Sequence, residues 1–288
     1  MKSSEIAKYL CESLNGEDLD IITFSSLSNI KQNSLVFAKK YSQAIIESLN
    51  NNNVLALVCP EYDGLLTCPY IVSSNPRLDF AKVVQGFFIE RPAAGIHPTA
   101  VVEEGAIIGN NVYIGPHCHI GPLVSIGDET IIQANVTLIN KIRIGNNCLI
   151  EPGTVLGGEG FGYEYDEDGI PVHFPHTGDI VVGNNVSIGS NTCIDRGTID
   201  STIIEDNVKI DNLVHIGHNV HIKENAFVIA GAIICGGVEV GKNCWISPNS
   251  SLHQKVIIGD TAKVGMGSAV IGRVRPGQTV FGIPAKKL

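Results

Sequence analysis

"IIGNNVYIGPHCHIGPLVSIGDETIIQANVTLI", residues 107–139, places an aliphatic residue at every sixth position: Ile108, Ile114, Ile120, Ile126, Ile132 and Leu138. The next position is often Gly, and the fifth of each hexad is small or β-branched, as at Val112, Cys118, Val124, Thr130 and Val136. Such hexads match the parallel β-helix, in which each short strand turns a corner and three strands close one coil. The aliphatic residues then stack inward as ladders. Gly and Asn are expected at the corners, where positive φ is needed.

Outward from this stretch, the register begins at Ile96 and runs unbroken to Leu156. It pauses over residues 157–181, resumes at Val182, Ile188 and Ile194, slips by four residues before Ile204, and then holds to Val270. The expected fold is mainly β: a left-handed parallel β-helix over residues 93–288, with residues 157–181 leaving it as an inserted loop. Residues 1–92 read differently, as a small α/β domain. "SSEIAKYLCESL" has the pattern of a capped amphipathic helix, and "SLVFA" and "VLALV" read as strands. "NPRLDFAKVVQGFF" is a helix with Asn75 as cap and Pro76 in its first turn. "IERPAAGIHPTA", with Pro92, Gly95 and Pro98, is the expected connection.

A hydrophobic content of 44% supplies a core, and a net charge of -9 without a Lys/Arg block argues against nucleic-acid and polybasic membrane binding. The N-terminal "MKSSEIAKYLCESL" lacks a secretory leader pattern, and the apolar run "AFVIAGAIICGGV" is too short to span a bilayer. The chain therefore reads as cytoplasmic and without a membrane span. None of the eight cysteines forms a CxxC pair, and Cys118, Cys148 and Cys244 occupy the small position of the hexad. They read as reduced, small hydrophobes.

"VHIGHNVHI", residues 214–222, holds three histidines. Hexad arithmetic puts His215 and His221 in the last position of their hexads and His218 in the third, so they cannot converge on one ion within a subunit. No metal is assigned, and His215 and His221 read as surface or interface residues. A zinc site shared between subunits, as in trimeric β-helical carbonic anhydrases, is the alternative enzyme reading. Around His218, the coil before carries Arg196 and the coil after carries Gly236. The second coil after carries His253, Gln254 and Lys255. Acyl transfer needs a general base and a donor for the oxyanion, and this strip offers both. The other reading is a ladder of solvated polar residues on a non-catalytic binding module. The insertion, with "EGFGY" and "HFPH" and therefore His173 and His176, suits either a functional loop or a subunit contact.

The run "GGEGFGYEYDEDGIPVHFPHTGDIVVGNNVSIGSNTCIDRGTIDSTIIEDNVKIDNLVHIGHNV" resembles the UDP-3-O-acylglucosamine N-acyltransferase family of lipid A synthesis, in the order GFG, IDRG, IDN, HN. The N-terminal segment is similar to that family's uridine-binding domain in "NSLVFAKKYSQAI" and "NPRLDFAKV". The resemblance implies a homotrimer with active sites between subunits and His218 as general base. It implies Asn212 and the Gly236 N–H as supports of the tetrahedral intermediate. Phe37 and Tyr41 are implied to stack on the nucleotide, and Phe161, Asp195, Arg196, Asp211, His253 and Lys255 to contact substrate. The implied acceptor is a nucleotide-linked amino sugar, and the implied donor a thioester of acyl carrier protein or coenzyme A, with no permanently bound cofactor. Three features depart from the family. The family's second active-site histidine falls on Lys255, with His253 nearby. "FAKKY" lacks the uracil-contacting Asn, and the sequence stops at "VFGIPAKKL" without the family's helical extension. The second expectation is therefore a relative that moves an acetyl or other short acyl group from coenzyme A to a UDP- or dTDP-linked amino sugar for surface glycans.

Overall fold

A computed structural model describes residues 1–287. Most hexads form a strand of two or three residues whose last side chain points inward. Thus Ile216, Ile234 and Leu252 lie in parallel register on successive coils. Strands one coil apart hydrogen-bond directly, for example Gly217 N–H to the Ile234 carbonyl at 2.8 Å. The result is a left-handed β-helix with three faces, built from sheets of 9, 8 and 11 strands. Strands Cys193–Asp195, His215–Ile216 and Ile233–Ile234 lie on the first face. Thr202–Ile204 and His221–Ile222 lie on the second, and Lys209–Ile210, Phe227–Val228 and Trp245–Ile246 on the third. The inward ladders are fully shielded from Ile114 through Val264. Each such side chain contributes about 1.5–3 kcal/mol of burial. Cys118, Cys148 and Cys244 sit in this core as free thiols, directed at the carbonyls of Gln133, Gly183 and Gly259.

The corners use Asn and Gly for left-handed turns, and Gly also where successive coils approach closely. Left-handed φ falls mainly on asparagines such as Asn191, Asn219, Asn225 and Asn243, the non-glycine residue best suited to that region. Gly153, Gly231, Gly237 and Gly267 also take left-handed φ as expected, whereas most glycines that directly follow an inward aliphatic do not and answer a different demand. At Gly189 a Cβ would lie 2.5 Å from the backbone carbon of Asp211, so the close approach of the next coil excludes a side chain. Both register irregularities fall at one corner, where the first face turns into the second. Leu156 and Val182 flank the first, and Ile194 and Ile204 flank the second. The insertion is more ordered than the plain loop expected, because Tyr163–Tyr165 pairs antiparallel with Pro171–His173. Asp166 Oδ1 closes its turn by accepting from the Asp168 and Ile170 amides.

The chain divides into Met1–Arg91 and a second unit from Pro92 onward. In the first, β1 (Leu14–Asn15), β2 (Thr23–Phe24), β3 (Ser34–Ala38), β4 (Val54–Val58) and β5 (Tyr70–Val72) form a sheet ordered β1-β5-β4-β3-β2. It is parallel except at β1. Helices α1 (Ser3–Leu10), α2 (Gln43–Asn50) and α3 (Pro76–Phe87) accompany it. Strand alternation sends Leu35 and Leu57 into a cluster with Ile6 and Val83, and Val36 and Val58 into another with Ile46, Leu49 and Tyr62. Asn75 caps α3, accepting from the Leu78 amide at 3.3 Å. The short helix α2 was not read from the sequence. Among the described residues no helix is long and apolar enough to cross a membrane.

Candidate active site

The two irregular coils assemble the surroundings of His218, which turns the same corner on the next coil. The returning end of the insertion is stitched to the four-residue bulge. Thr177 N–H donates to the Thr198 carbonyl at 2.7 Å and Gly178 N–H to the Gly197 carbonyl at 2.9 Å. Arg196 fastens the same joint, its guanidinium donating to the carbonyls of Gly178 (2.8 Å) and Thr177 (2.9 Å). The bulge in turn fixes Asn219. Thr198 donates to Asn219 Oδ1 through its amide at 3.2 Å and its hydroxyl at 2.8 Å, while the Asn219 amide donates to Thr202 Oγ1 at 2.9 Å. A backbone N–H can only donate, so the atom facing Thr198 is the Asn219 oxygen. His218 Nδ1, 3.0 Å from that oxygen, therefore carries the proton, and Nε2 is left with its lone pair.

Two glycines enclose the His218 ring. A Cβ on Gly236 would lie 2.6 Å from His218 Nε2, and a Cβ on Gly160 would lie 2.9 Å from its Cδ2. The base thus sits between the next coil and the start of the insertion. The Gly236 N–H makes no hydrogen bond among the described residues. These groups border a pocket of about 480 Å³ that also takes in Glu159, Phe161, Asp195, His215 and His253. Burial pushes the Asp195 carboxyl above the usual range for an aspartate, opposed by the positive charges that His215, His218 and His176 can carry. His215 Nε2 stands 3.7 Å from Asp195 Oδ2. From the insertion, His176 meets the His218 ring edge-on, with centroids 5.1 Å apart.

Of the expected site residues, His218, Gly236, Phe161, Asp195 and His253 meet at this pocket. The others do not. Arg196 is in register with His218, but it holds the insertion rather than lining the strip. Asn212 turns the preceding corner, six residues of extended chain or at most about 20 Å from His218. There its Oδ1 accepts from the Ser190 amide. Asp211 serves that same corner, accepting from the amides of Asn212 and Ala230. Lys255 sits in the left-handed corner position with its amide on the Gly236 carbonyl, outside the pocket lining, whereas His253 is in it. Phe37 packs on Phe80 (4.9 Å) in the α1/α3 cluster, while Tyr41 packs on Tyr62 (5.4 Å), which belongs to the other cluster. The two rings, implied to stack on the nucleotide, thus pack on different partners. His215, expected to be a surface or interface residue, borders the pocket; His221 turns away and pairs with Glu205 at 2.6 Å. Thr198, Glu159 and Cys235 were given no role, and Asn219 entered only as the second residue of the HN pair. The sequence signal for Thr198 is the four-residue slip, which marks its coil.

Residues 123–158 match the bacterial transferase hexapeptide family (six repeats), and residues 105–140 match the hexapeptide repeat of succinyl-transferase. A UDP-3-O-acylglucosamine N-acyltransferase from Hydrogenovibrio crunogenus is 36% identical over 65% of this chain and 60% of its own length. One from Paracidovorax citrulli is 35% identical over 60% of this chain and 53% of its own. The match thus spans less than two thirds of either relative. Among solved structures, a UDP-N-acetylglucosamine acyltransferase from Francisella novicida superposes with a TM-score of 0.61 at 30% identity. It covers 67% of this chain and 68% of that one. The corresponding protein of Bacteroides fragilis gives 0.61 at 28% identity, covering 67% and 74%.

Proposed function

We propose that this chain, a hexapeptide-repeat protein of the UDP-3-O-acylglucosamine N-acyltransferase family, moves an acyl group from a thioester to the amine of a nucleotide-linked amino sugar. The observation that carries the reading is the fixed tautomer of His218, whose unprotonated Nε2 faces the pocket beside the free N–H of Gly236. An amine entering this pocket attacks the thioester carbonyl and loses a proton to Nε2 as the C–N bond forms. The oxyanion of the tetrahedral intermediate rests on the Gly236 N–H. Collapse breaks the C–S bond, and the imidazolium returns its proton to the departing thiolate. Negative charge on Asp195 favours that imidazolium. The transfer itself needs no resident cofactor.

The donor is an acyl carrier protein or coenzyme A thioester, and the protein works in the cytoplasm as a homotrimer. Trimer formation is supported by exposed apolar side chains on the faces, among them Ile233 and the stacked pair Phe227 and Trp245. It is also the one way for Asn212, tied to its own corner, to reach a His218 pocket: from a neighbouring subunit.

A panel of acetyl coenzyme A and 3-hydroxyacyl carrier protein, each against UDP- and dTDP-linked amino sugars, should give an N-acylated sugar for one pairing. No product from any pairing would refute the transferase reading. Asn219→Ala removes the acceptor that sets the tautomer, and is expected to lower kcat by roughly 10–100-fold, less than the 10²–10⁴ that a general base contributes, with KM little changed. Steady-state kinetics check this, and an unaltered kcat would mean that Asn219 does not orient the base.

A further inference from the structure

The insertion carries a second cluster, apart from the proposed transfer chemistry. Glu159 precedes the hairpin, and His173 and His176 end it, so folding brings together groups up to 17 residues apart. One ligand atom from each of Glu159, His173 and His176 lies within 4.8 Å of the other two. His173 Nε2 and Glu159 Oε2 are already 3.0 Å apart. A tetrahedral zinc ion with bonds of about 2.0–2.2 Å holds its ligands roughly 3.4 Å from one another. Small rotations of two partly exposed side chains cover the difference.

His176 supplies the independent observation. It is 2% exposed, and its Nε2 is buried without a hydrogen-bond partner. An unpaired buried nitrogen costs stability unless something binds it. Its Nδ1 is 3.0 Å from the Phe174 carbonyl and donates to it, which leaves the Nε2 lone pair available. An imidazole that donates its other N–H to a carbonyl is the usual arrangement of a metal-bound histidine. Space is reserved as well: a Cβ on Gly160 would lie 2.8 Å from His176 Nε2, and one on Gly162 2.8 Å from its Cε1.

We propose that Glu159, His173 and His176 form a binding site for one divalent transition-metal ion of the zinc class. Two imidazoles and a carboxylate suit that class and leave a fourth position open. The site lies within a single chain, unlike the shared-histidine alternative considered from the sequence. Because Glu159 borders the His218 pocket and His176 packs on the His218 ring, a bound ion would pin the hairpin over the base.

The test uses the untagged full-length chain, dialysed against Zn²⁺ and then metal-free buffer, with zinc measured by mass spectrometry and affinity by chelator competition. One equivalent is expected to remain. Glu159→Gln and His173→Ala alter exposed side chains, so folding is not at issue. Each should weaken binding by more than the roughly 10–100-fold typical of an outer-sphere partner. No retained zinc, or retention unchanged in both variants, overturns the site. So does a sulfur-to-cobalt charge-transfer band after Co²⁺ substitution, since this ligand set has no thiolate. Stoichiometry is read without acyl transfer, so failure here is distinct from failure of the transferase reading.

Discussion

His218→Ala is expected to lower the rate of acyl transfer by about 10²–10⁴-fold, the usual share of a positioned general base, while the melting temperature barely moves. The two halves of this expectation have separate origins. His218 turns a corner and contributes nothing to the inward ladders, whose neighbouring members Ile216 and Val220 remain buried without it. Its chemistry has no substitute in the pocket, because the imidazole nitrogen that lies against Gly236 is His218 Nε2. His215 faces Asp195 and His253 Nδ1 faces the Gln254 carbonyl at 3.3 Å. Kinetics under saturating donor, with circular dichroism as the control for folding, decide the matter. Near-normal transfer by the variant would remove His218 as the base.

Gly236→Ala should be almost as damaging, for a steric reason. The added methyl would stand 2.6 Å from Nε2 and 2.7 Å from Cε1 of His218, so the imidazole must leave its place between Gly160 and Gly236. Backbone strain is not involved, because Gly236 lies outside the left-handed region. We expect a loss of about 10²-fold or more in kcat, comparable with losing the base, at little cost in stability. The adjacent Gly237 makes the internal control. Its φ of 71° is left-handed, so Gly237→Ala should cost about 1–2 kcal/mol of stability and affect transfer less. Thermal melts and kinetics on both variants separate the effects. If the two glycines gave the same pattern, the Gly236 methyl would not be acting through His218.

The stack of His218 and Gly236 was legible because coils between Ile204 and Val270 repeat without interruption, so counting residues amounts to measuring along the helix axis. Lys255 follows instead from the spacing of the resembled family, since coil counting lands on Gln254. Landing on a corner says nothing of whether that position faces the pocket or takes the left-handed turn, and His253, two residues before Lys255, faces it. Counting passed over His215, since its hexad position points outward on every coil and only the insertion above it makes a pocket there. Phe37 and Tyr41, implied by the family resemblance to stack on the nucleotide, pack on different rings: the β3 pleat commits Phe37 to the α1/α3 cluster while Tyr41 follows the strand and packs on Tyr62.

Sequence alone determined the β-helix, its corners and the line joining His218 to Gly236, because a six-residue period is a local pattern in which each strand repeats the demands of the one before. Tertiary structure alone decided the tautomer of His218 and the meeting of Glu159, His173 and His176. Both depend on segments that break the period, and where such segments come to rest is set by hydrogen bonds such as Thr177 to Thr198 that no spacing encodes.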